Sequence, residues 1–360
     1  MSNTQMSNYR VGILGATGAV GQKFIRLLQG HPWFKITALG ASSRSAGKSY
    51  KEAAAWVESF PLPPDIAQAE VRKCTPGEFQ DVDFIFSGLD ASVAESIESA
   101  FASSGIPVIS NAKNFRMHDN VPLLVPEVNP DHIDLIPHQN FDEEGRGWIV
   151  TNPNCVVVPL VMSLKPLHDR FGINSVILTS MQAVSGAGYP GVPSLDILGN
   201  VIPFISGEES KIHTEPLKLL GEYRGDRVRF ADFPIQATAT RVPVRNGHLL
   251  SVSVSLVETP ENEDAVKDIM KSWKSPLNGL GLPSAPEQPL FVYDEDHYPQ
   301  PLLQADEGKG MRTAIGRIRA SSGAMDISYV AMAHNTVRGA AGGAILNAEL
   351  LASKKMIRNK

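Results

Sequence analysis

The stretch "VGILGATGAVGQKF", residues 11–24, places Gly15, Gly18 and Gly21 between an apolar run and a helical pattern. Glycines between a strand and a helix allow a tight turn, and the unpaired N–H groups at the helix start can bind a pyrophosphate. The GxxGxxG spacing is a relaxed variant of the GxGxxG fingerprint and is weak evidence alone. Its place after the first apolar run favours a dinucleotide site over a tight turn without a ligand.

The residues around this turn repeat one alternation of patterns. Helical periodicity at 20–29 and 92–103 separates short apolar runs that predict strands at 9–14, 35–40, 83–88, 106–110 and 122–128. Such alternation is typical of βαβ units. We therefore predict an α/β fold whose N-terminal part is a doubly wound, parallel, Rossmann-type sheet.

The segment after the second predicted strand helps to choose the cofactor. An NAD site usually carries an acid there for the ribose 2′-hydroxyl. Here "ALGASSRSAGKSY", residues 38–50, has no acid but contains Ser42, Ser43 and Arg44. Hydroxyls and a guanidinium suit a 2′-phosphate, which favours NADP over NAD. The alternative is a solvated loop that happens to carry an arginine.

Beyond residue 155 the pattern changes to longer strands. Residues 175–186 are rich in β-branched side chains, and residues 248–258 alternate apolar residues with serines. Alternation with period two predicts a largely antiparallel sheet with one polar face, which is either solvated or covered by a second subunit. Residues 334–356 predict a loop followed by a helix. A chain of 360 residues is long enough for two domains.

Composition narrows the class of protein. A net charge of −5 argues against a nucleic-acid or anionic-membrane partner. Two cysteines at unrelated positions form neither a disulfide framework nor a metal-ligand spacing. The N-terminus lacks the apolar core of a signal peptide, and no apolar run approaches the roughly 18 residues of a membrane span. A cytoplasmic protein without a metal site is expected.

Cys155, in "TNPNCVVVPL" at residues 151–160, is the candidate nucleophile. It follows an Asn-Pro-Asn turn and precedes a helical pattern in which Pro159 fits the first turn, whereas Pro166 is expected to kink or shorten the helix. A helix N-terminus lowers the pKa of a thiol. The alternative is a cysteine that fills a core.

A cysteine together with a nicotinamide suggests chemistry between acyl and aldehyde oxidation levels, through a thioester. That chemistry needs a base near the thiol, cations for an anionic leaving group and a donor for an oxyanion. Each candidate has an alternative as an ordinary surface or core residue. The candidates are Arg116, Glu208, Glu209, Lys211, Arg241, Arg245 and His248.

Several motifs together resemble aspartate-semialdehyde dehydrogenases of the archaeal and fungal branch. The resemblance runs from about residue 9 to 353, and the motifs keep the order expected in that family. They are "GATGAVGQ", "SNAKNFRM", "VPLLVPEVN", "TNPNC", "MQAVSGAGYPGVPSLDI", "GEESKIHTEPLKLLG", "RVPVRNGH" and "HNTVRGAAGGAILNAELL".

The resemblance implies reductive dephosphorylation of L-aspartyl 4-phosphate to L-aspartate 4-semialdehyde with NADPH. By position it implies Cys155 as nucleophile, His248 as acid/base, Arg241 for the substrate α-carboxylate, Glu208 for its amino group, Arg116 and Lys211 for phosphate, and Asn154 and Gln182 for orienting the substrate. Motif alignment alone selects Glu208 over Glu209.

The glycine turn, the segment after the second strand and the resemblance together predict the cofactor contacts. They are Gly15, Thr17, Gly18, Ala19, Val20, Ser42, Ser43, Arg44, Ser87, Gly186, Ala187, Gly188, Asn335 and Thr336. The resemblance also implies an NADP-binding domain at 1–154 completed by a C-terminal helix at 335–360, a catalytic and dimerisation domain at 155–334, and a homodimer or homotetramer.

Three rival functions remain at this point. An acyl-CoA reductase of the same scaffold, such as a malonyl-CoA reductase, keeps the cysteine and the glycine turn. N-acetyl-glutamyl-phosphate reductase shares the chemistry. A non-catalytic regulator that senses NADPH is a third possibility. Asn154, "GEESK" and the full "RVPVRNGH" favour an amino-acid substrate.

Overall fold

A computed structural model describes residues 9–321 and 323–359 of the chain. The chain divides into two compact units. The first contains the chain up to Pro122, the stretch Ile133–Asn152 and the stretch from Ala344 onward. The second contains Leu123–His132 and Pro153–Gly343.

The first unit is built on a six-stranded parallel sheet. Its strands are β1 Tyr9–Leu14, β2 Phe34–Ala41, β3 Val71–Lys73, β4 Phe84–Ser87, β5 Val108–Ser110 and β6 Ile149–Thr151. Their spatial order is β3-β2-β1-β4-β5-β6, which is the order of doubly wound dinucleotide-binding folds. The predicted Rossmann-type sheet is therefore confirmed.

Short helices join these strands. They are α1 Ala19–Leu28, α2 Tyr50–Ala53, α3 Pro64–Gln68 and α4 Ala91–Ser103, with a turn of 3₁₀-helix at Pro76–Phe79. The apolar face of α1 is buried through Phe24, Ile25 and Leu28, because its residues recur with the helical period. Helical residues from Ala344 onward also belong to this unit.

Strand register lines up polar side chains at the carboxyl edge of this sheet. Leu14 pairs with both Gly40 and Ser87. Ser87 pairs with Ser110, and Ser110 pairs with Thr151. Since ligands of open α/β sheets bind at this edge, the register places a row of hydroxyls where a ligand is expected.

The second unit is built on a mixed sheet. Its strands are β7 Ile173–Gln182, β8 Glu222–Tyr223, β9 Val228–Arg229, β10 Ile235–Arg241, β11 His248–Leu256, β12 Leu290–Val292, β13 Thr313–Ala320 and β14 Ile327–Ala333. The six-stranded order is β10-β7-β11-β14-β13-β12, and β8 pairs with β9 separately. The β7–β11, β11–β14 and β13–β14 pairs are antiparallel, so the prediction of a largely antiparallel sheet is confirmed.

Several helices follow residue 155, and the first of them is long and mostly buried. They are α5 Val157–Phe171, α6 Ser194–Ile197, α7 Glu208–Leu219, α8 Glu263–Ser272, α9 Pro301–Gln304 and α10 Gly342–Ser353. Turns of 3₁₀-helix lie at Pro130–His138, Val184–Ala187 and Glu307–Gly310, and a turn of π-helix at Val337–Ala341 precedes α10. The core of this unit joins α5 to apolar residues of β7, β11 and β14.

Two expectations about local structure need correction. The predicted strand at 122–128 is wrong, because the Asn129 side chain accepts the Val125 N–H and donates to the Leu123 carbonyl, which folds the segment into a turn. The shortening expected at Pro166 does not occur, since α5 continues five residues further to Phe171. In the described parts of the chain, the helices lack the length and apolar character that crossing a bilayer requires.

The glycine turn after β1 predicts a large difference between two alanine substitutions. A Cβ at Gly21 would lie 2.3 Å from the Gly15 carbonyl oxygen, whereas at Gly18 its closest neighbour would be 3.4 Å away. We expect Gly21→Ala to lower the free energy of unfolding by about 1–3 kcal/mol, since overlap with backbone outweighs alanine's helix propensity.

Chemical denaturation of both variants checks this expectation. Gly18→Ala is the matched control and should remain within about 0.5 kcal/mol of the parent. Equal stability of the two variants would contradict the account of the turn.

Candidate active site

Cys155 lies in a turn just ahead of α5. The Asn154 carbonyl accepts the Val157 N–H, and its side-chain oxygen accepts the Val156 N–H at 3.0 Å. Asparagine favours such a turn because its side chain replaces a backbone acceptor. The half-buried thiol is therefore held at the N-terminal end of a helix, as the sequence predicts.

The nucleophile candidate is paired with a histidine from the sheet. Cys155 Sγ lies 3.1 Å from Nε2 of His248, the first residue of β11. The His248 side chain is fully buried. Its other ring nitrogen, Nδ1, accepts the backbone N–H of Ala183 at 3.1 Å.

This pair of contacts decides where the imidazole carries its proton. A neutral imidazole has one N–H donor and one acceptor nitrogen. Because Nδ1 accepts a backbone N–H, the proton lies on Nε2 and faces Cys155 Sγ. In this arrangement His248 donates a hydrogen bond to the sulfur.

Burial keeps His248 in this neutral form. Loss of solvation, with the positive charge of Arg241 and the neighbouring His334 adding to it, lowers the pKa of His248 to about 3. A protonated ring would also direct an Nδ1–H at the Ala183 N–H. Burial therefore favours the neutral imidazole at neutral pH.

Arg241 lies next to the Cys155–His248 pair. It is the last residue of β10, and its Nη1 donates to the Ala183 carbonyl at 2.8 Å. Burial lowers the pKa of Arg241, and the charges of Cys155 and Glu208 act in the opposite direction. A Cβ at Gly186 would lie 2.9 Å from Arg241 Nη1 and 3.1 Å from His248 Cε1, so only glycine fits there without movement.

Glu208, at the start of α7, accepts hydrogen bonds from three side chains. Its Oε1 accepts from Lys211 Nζ at 2.6 Å and from Asn154 Nδ2 at 3.0 Å. Its Oε2 accepts from Gln182 Nε2 at 3.2 Å. The four side chains predicted to bind substrate here therefore form one cluster next to the nucleophile.

The adjacent Glu209 points elsewhere. Its Oε1 accepts the backbone N–H of Ala239 in β10 at 3.1 Å. Arg245, an alternative cation in the sequence, is exposed. The geometry thus separates Glu208 from Glu209 by their hydrogen-bond partners.

Glu215 is a site residue that sequence reasoning missed. Its Oε2 accepts the backbone N–H of Asn154 at 2.6 Å, and the residue is buried. Glu208 and Glu215 are seven residues apart, so they share one face of α7. That spacing of two acids in "GEESKIHTEP" was the available signal.

Among the predicted cofactor contacts in the second unit, Gly186 lies against Arg241 and His248. Gly186 and Ala187 end the 3₁₀-turn after β7, and Gly188, at a φ of 76°, terminates it. Asn335 accepts the Gly247 N–H at 2.9 Å and donates to Ser185 Oγ at 2.8 Å. Thr336 follows it. Asn335 therefore ties the 3₁₀-turn to the residue before His248.

In the first unit, the glycine turn forms a backbone cradle. Gly15 has a φ of 71°, and a Cβ there would lie 2.6 Å from the Gly88 carbonyl oxygen. Gly18 is the N-cap of α1 and supplies no side chain to cap it. Buried Gln22 holds the turn by donating to the Thr17 carbonyl at 3.0 Å. Ala19 and Val20 then begin α1 with N–H groups available to a phosphate.

The other predicted residues of this unit lie along the carboxyl edge of its sheet. Ser42, Ser43 and Arg44 follow β2 and are exposed, whereas Ser87 is buried at the end of β4. Buried Arg116 donates through Nη2 to the Asn111 carbonyl at 2.8 Å.

A buried acid beside this edge escaped the sequence analysis. Glu98 of α4 accepts from Ser110 Oγ at 2.7 Å. Burial raises the pKa of Glu98 to about 7, although Ser87, Ser110 and Arg116 oppose the shift. A lone glutamate in a helical pattern carries no signal of such burial.

Comparison with known proteins identifies the family. Residues 10–136 match the family described as semialdehyde dehydrogenase, NAD binding domain, and residues 164–338 match semialdehyde dehydrogenase, dimerisation domain. An aspartate-semialdehyde dehydrogenase of Archaeoglobus fulgidus is 48% identical over 97% of this chain and 99% of its own length. The chain belongs to the aspartate-semialdehyde dehydrogenase family. This confirms the resemblance seen in the motifs.

Relatives in this family extend to fungi. The aspartate-semialdehyde dehydrogenase of Schizosaccharomyces pombe is 46% identical over 98% of this chain and all of its own length. The crystal structure of the Candida albicans aspartate-semialdehyde dehydrogenase with NADP superposes with a TM-score of 0.90 at 43% identity, covering 97% of this chain and 100% of that one. The α/β architecture described above is thus that of the family.

The buried histidine predicts a pH dependence of stability. Its pKa is near 6.5 when unfolded and about 3 when folded, so between these values the unfolded state binds more protons. Stability therefore falls as the pH drops below about 6.5, by up to about 1.4 kcal/mol per pH unit from this group. His248→Asn should show a shallower fall between pH 7 and 5 in urea denaturation.

His297→Asn is the matched control, because His297 is exposed. It should keep the parent's pH dependence. Some slope remains in His248→Asn, since burial also lowers the pKa values of His132 and His168. An unchanged slope in His248→Asn would contradict the burial argument.

Proposed function

We propose that this protein catalyses NADPH-dependent reductive dephosphorylation of L-aspartyl 4-phosphate to L-aspartate 4-semialdehyde, and the reverse reaction. The observation that carries the proposal is the 3.1 Å contact between Cys155 Sγ and the buried His248, with Arg241 and Glu208 beside it. In metabolism this reaction belongs to the aspartate pathway that leads to threonine and methionine.

The first unit supports NADP as cofactor. Gly15 lines a backbone cradle that a Cβ would fill, and the start of α1 offers N–H groups to a pyrophosphate. Ser42, Ser43 and Arg44 would hold the 2′-phosphate through charge-assisted hydrogen bonds. The Candida albicans relative was solved with NADP. When bound, NADPH supplies the hydride that reduces the acyl group.

The second unit would hold the amino acid through opposite charges. Arg241 would bind the α-carboxylate, where a planar guanidinium can form two parallel hydrogen bonds. Glu208, rather than Glu209, would bind the α-ammonium, because only Glu208 lies among Asn154, Gln182 and Lys211. Asn154 and Gln182 would orient the substrate.

Arg116 of the first unit and Lys211 of the second are each proposed as phosphate ligands, as the family resemblance implies. Each is a cation in a motif that the family shares, and Lys211 Nζ already lies 2.6 Å from Glu208. When a substrate ammonium approaches Glu208, Lys211 can turn toward the phosphate. Neutralising the leaving group speeds its departure.

The reductive direction then runs through a thioester. After Cys155 has lost its thiol proton to solvent, its thiolate attacks the acyl carbon, and the C–O bond to phosphate breaks. Hydride addition to the thioester gives a thiohemiacetal oxyanion on Cys155. Its collapse breaks the C–S bond and releases the aldehyde and the thiolate, so this step needs no acid.

His248 would serve this sequence as a hydrogen-bond donor. Its Nε2–H faces the sulfur, and its Nδ1 is occupied by the Ala183 N–H. The same donor can stabilise the thiolate and the adjacent oxyanion. This refines the acid/base role that the family resemblance implies.

The rival functions fit the site less well. An acyl-CoA reductase has no use for an ammonium ligand such as Glu208 beside Arg241. A regulator that only senses NADPH has no use for a paired Cys155 and His248. The relatives named aspartate-semialdehyde dehydrogenase also favour the amino-acid substrate.

Assembly and location are part of the same proposal. Thr238, Thr179 and Ser251 form an exposed row across β10, β7 and β11, and small side chains let a second sheet approach closely. Residues 164–338 match a family described as a dimerisation domain. We assign a homodimer or homotetramer formed through this face. The two scattered cysteines suit the reducing cytoplasm.

A spectrophotometric assay tests the reaction. Purified protein should reduce NADP when given aspartate semialdehyde and phosphate, whereas malonyl-CoA with NADPH should give no turnover. Cys155→Ala should lower kcat by at least about 10⁴-fold and leave NADP binding intact, because the covalent route is lost.

Cys74→Ser is the matched control for the thiol. Its hydroxyl can keep the hydrogen bond that Cys74 donates to the Ala41 carbonyl, so near-parent activity is expected. Turnover of malonyl-CoA alone would overturn the substrate, and an active Cys155→Ala would exclude the thioester.

Cofactor choice is tested at Arg44. Arg44→Ala should weaken NADP binding by about tenfold or more, because it loses charge-assisted hydrogen bonds to the 2′-phosphate, and leave NAD affinity unchanged. Isothermal titration calorimetry measures both constants. Lys35→Ala removes an exposed cation from β2, the strand that precedes Arg44, and should change neither constant. An equal loss for NAD and NADP in Arg44→Ala would remove the proposed role.

A further inference from the structure

The π-helical turn Val337–Ala341 packs directly against the nucleophile. A Cβ at Gly339 would lie 2.7 Å from Cys155 Cβ and 2.9 Å from Cys155 Cα. The backbone at Gly339 therefore touches the residue that carries the sulfur. Any displacement of this turn must shift Cys155 or open a gap behind it.

The residues just before this turn reach the histidine side of the site. Asn335 accepts the N–H of Gly247, which precedes His248, and donates to Ser185 Oγ, which precedes Gly186. The Gly339 N–H in turn donates to the His334 carbonyl at 3.1 Å. One short segment thus contacts Cys155 and the residue that precedes His248.

Arg338 anchors this segment on its other side. Its Nη2 donates to Glu127 Oε2 at 2.7 Å and lies 3.3 Å from Met162 Sδ. The side chains of Arg338 and Glu127 are each 1% exposed. Met162 belongs to α5, the helix that follows Cys155.

A buried ion pair of this kind contributes little net free energy to the stability of a fold. Apolar residues of similar volume often serve as well or better, because desolvating two charges offsets their attraction. What a short, charge-assisted hydrogen bond adds is a defined position. Here that position is one residue away from Gly339, which contacts Cys155.

We propose that Arg338 and Glu127 are positioning residues for catalysis. Their ion pair holds the π-turn so that Gly339 supports Cys155 and Asn335 supports the approach to His248. The proposal rests on the proposed function only in taking Cys155 as the nucleophile. Neither side chain touches a reacting atom in this account.

The test removes both charges together, in a Cys74→Ser background where Cys155 is the single thiol. The double variant Glu127→Leu/Arg338→Met leaves no unpaired buried charge and retains apolar packing. We expect kcat to fall between about tenfold and a hundredfold, the cost of a misplacement of about 1 Å. The KM for aspartate semialdehyde should change by less than about twofold, because neither side chain belongs to the proposed substrate-binding groups.

Alkylation of Cys155 by iodoacetamide reads the position of the sulfur without any substrate. Its second-order rate constant should fall by about tenfold or more, while NADP affinity and the unfolding midpoint stay near those of the parent. The matched control is Lys23→Met/Glu58→Leu, which removes a partly buried ion pair in the first unit. It should leave the alkylation rate unchanged.

The outcomes separate positioning from stability. A folded double variant with the parent's kcat and alkylation rate would overturn the proposal. If that variant does not fold, Arg338→Lys replaces it, because lysine keeps the charge but loses the planar fork. A slower alkylation in Arg338→Lys then supports the proposal, and the parent's rate overturns it. Inactivity of the parent on aspartate semialdehyde, with alkylation behaving as expected, would overturn the proposed function alone.

Discussion

The hydrogen bond from the Ala183 N–H to Nδ1 of His248 is the constraint on which the candidate site depends. It leaves Nε2 as the nitrogen that carries the proton, and Nε2 faces Cys155 Sγ. Burial of the ring reinforces the neutral form, because a charged imidazole would lose its hydration without gaining an anionic partner at Nδ1. His248 is thus a rigid hydrogen-bond donor beside the sulfur. A solvated histidine in the same place would instead titrate near neutral pH.

The substrate side of the site depends on one helix. Glu208 and Glu215 project from one face of α7, and between them they hold the side chain and the backbone N–H of Asn154. Asn154 in turn shapes the turn that presents Cys155. The groups that would recognise an amino acid and the group that would attack it are therefore mechanically connected, since both are fixed to the same rigid element.

Much of the fold follows from periodicity. The glycine turn and the alternation of apolar runs with helical patterns predict the parallel sheet, and the serine alternation at 248–258 predicts antiparallel β11. Strands β3 and β6 escaped prediction, since each has three residues, too few to show a period. Strand β5 is equally short, but the apolar run at 106–110 revealed it. The strand expected at 122–128 failed because the Asn129 side chain competes for backbone groups that a sheet would use.

The sequence by itself determined the kinds of chemical group available: a thiol at a helix start, an imidazole at a strand start, and paired acids and cations in short motifs. Those features are local, because turns, caps and periods act over a few residues. Only the tertiary structure decided which groups meet. Cys155 and His248 are 93 residues apart in the chain, and His248 and Ala183 are 65 apart. The tautomer of His248 and the support from Arg338 both depend on such distant contacts, which no local pattern encodes.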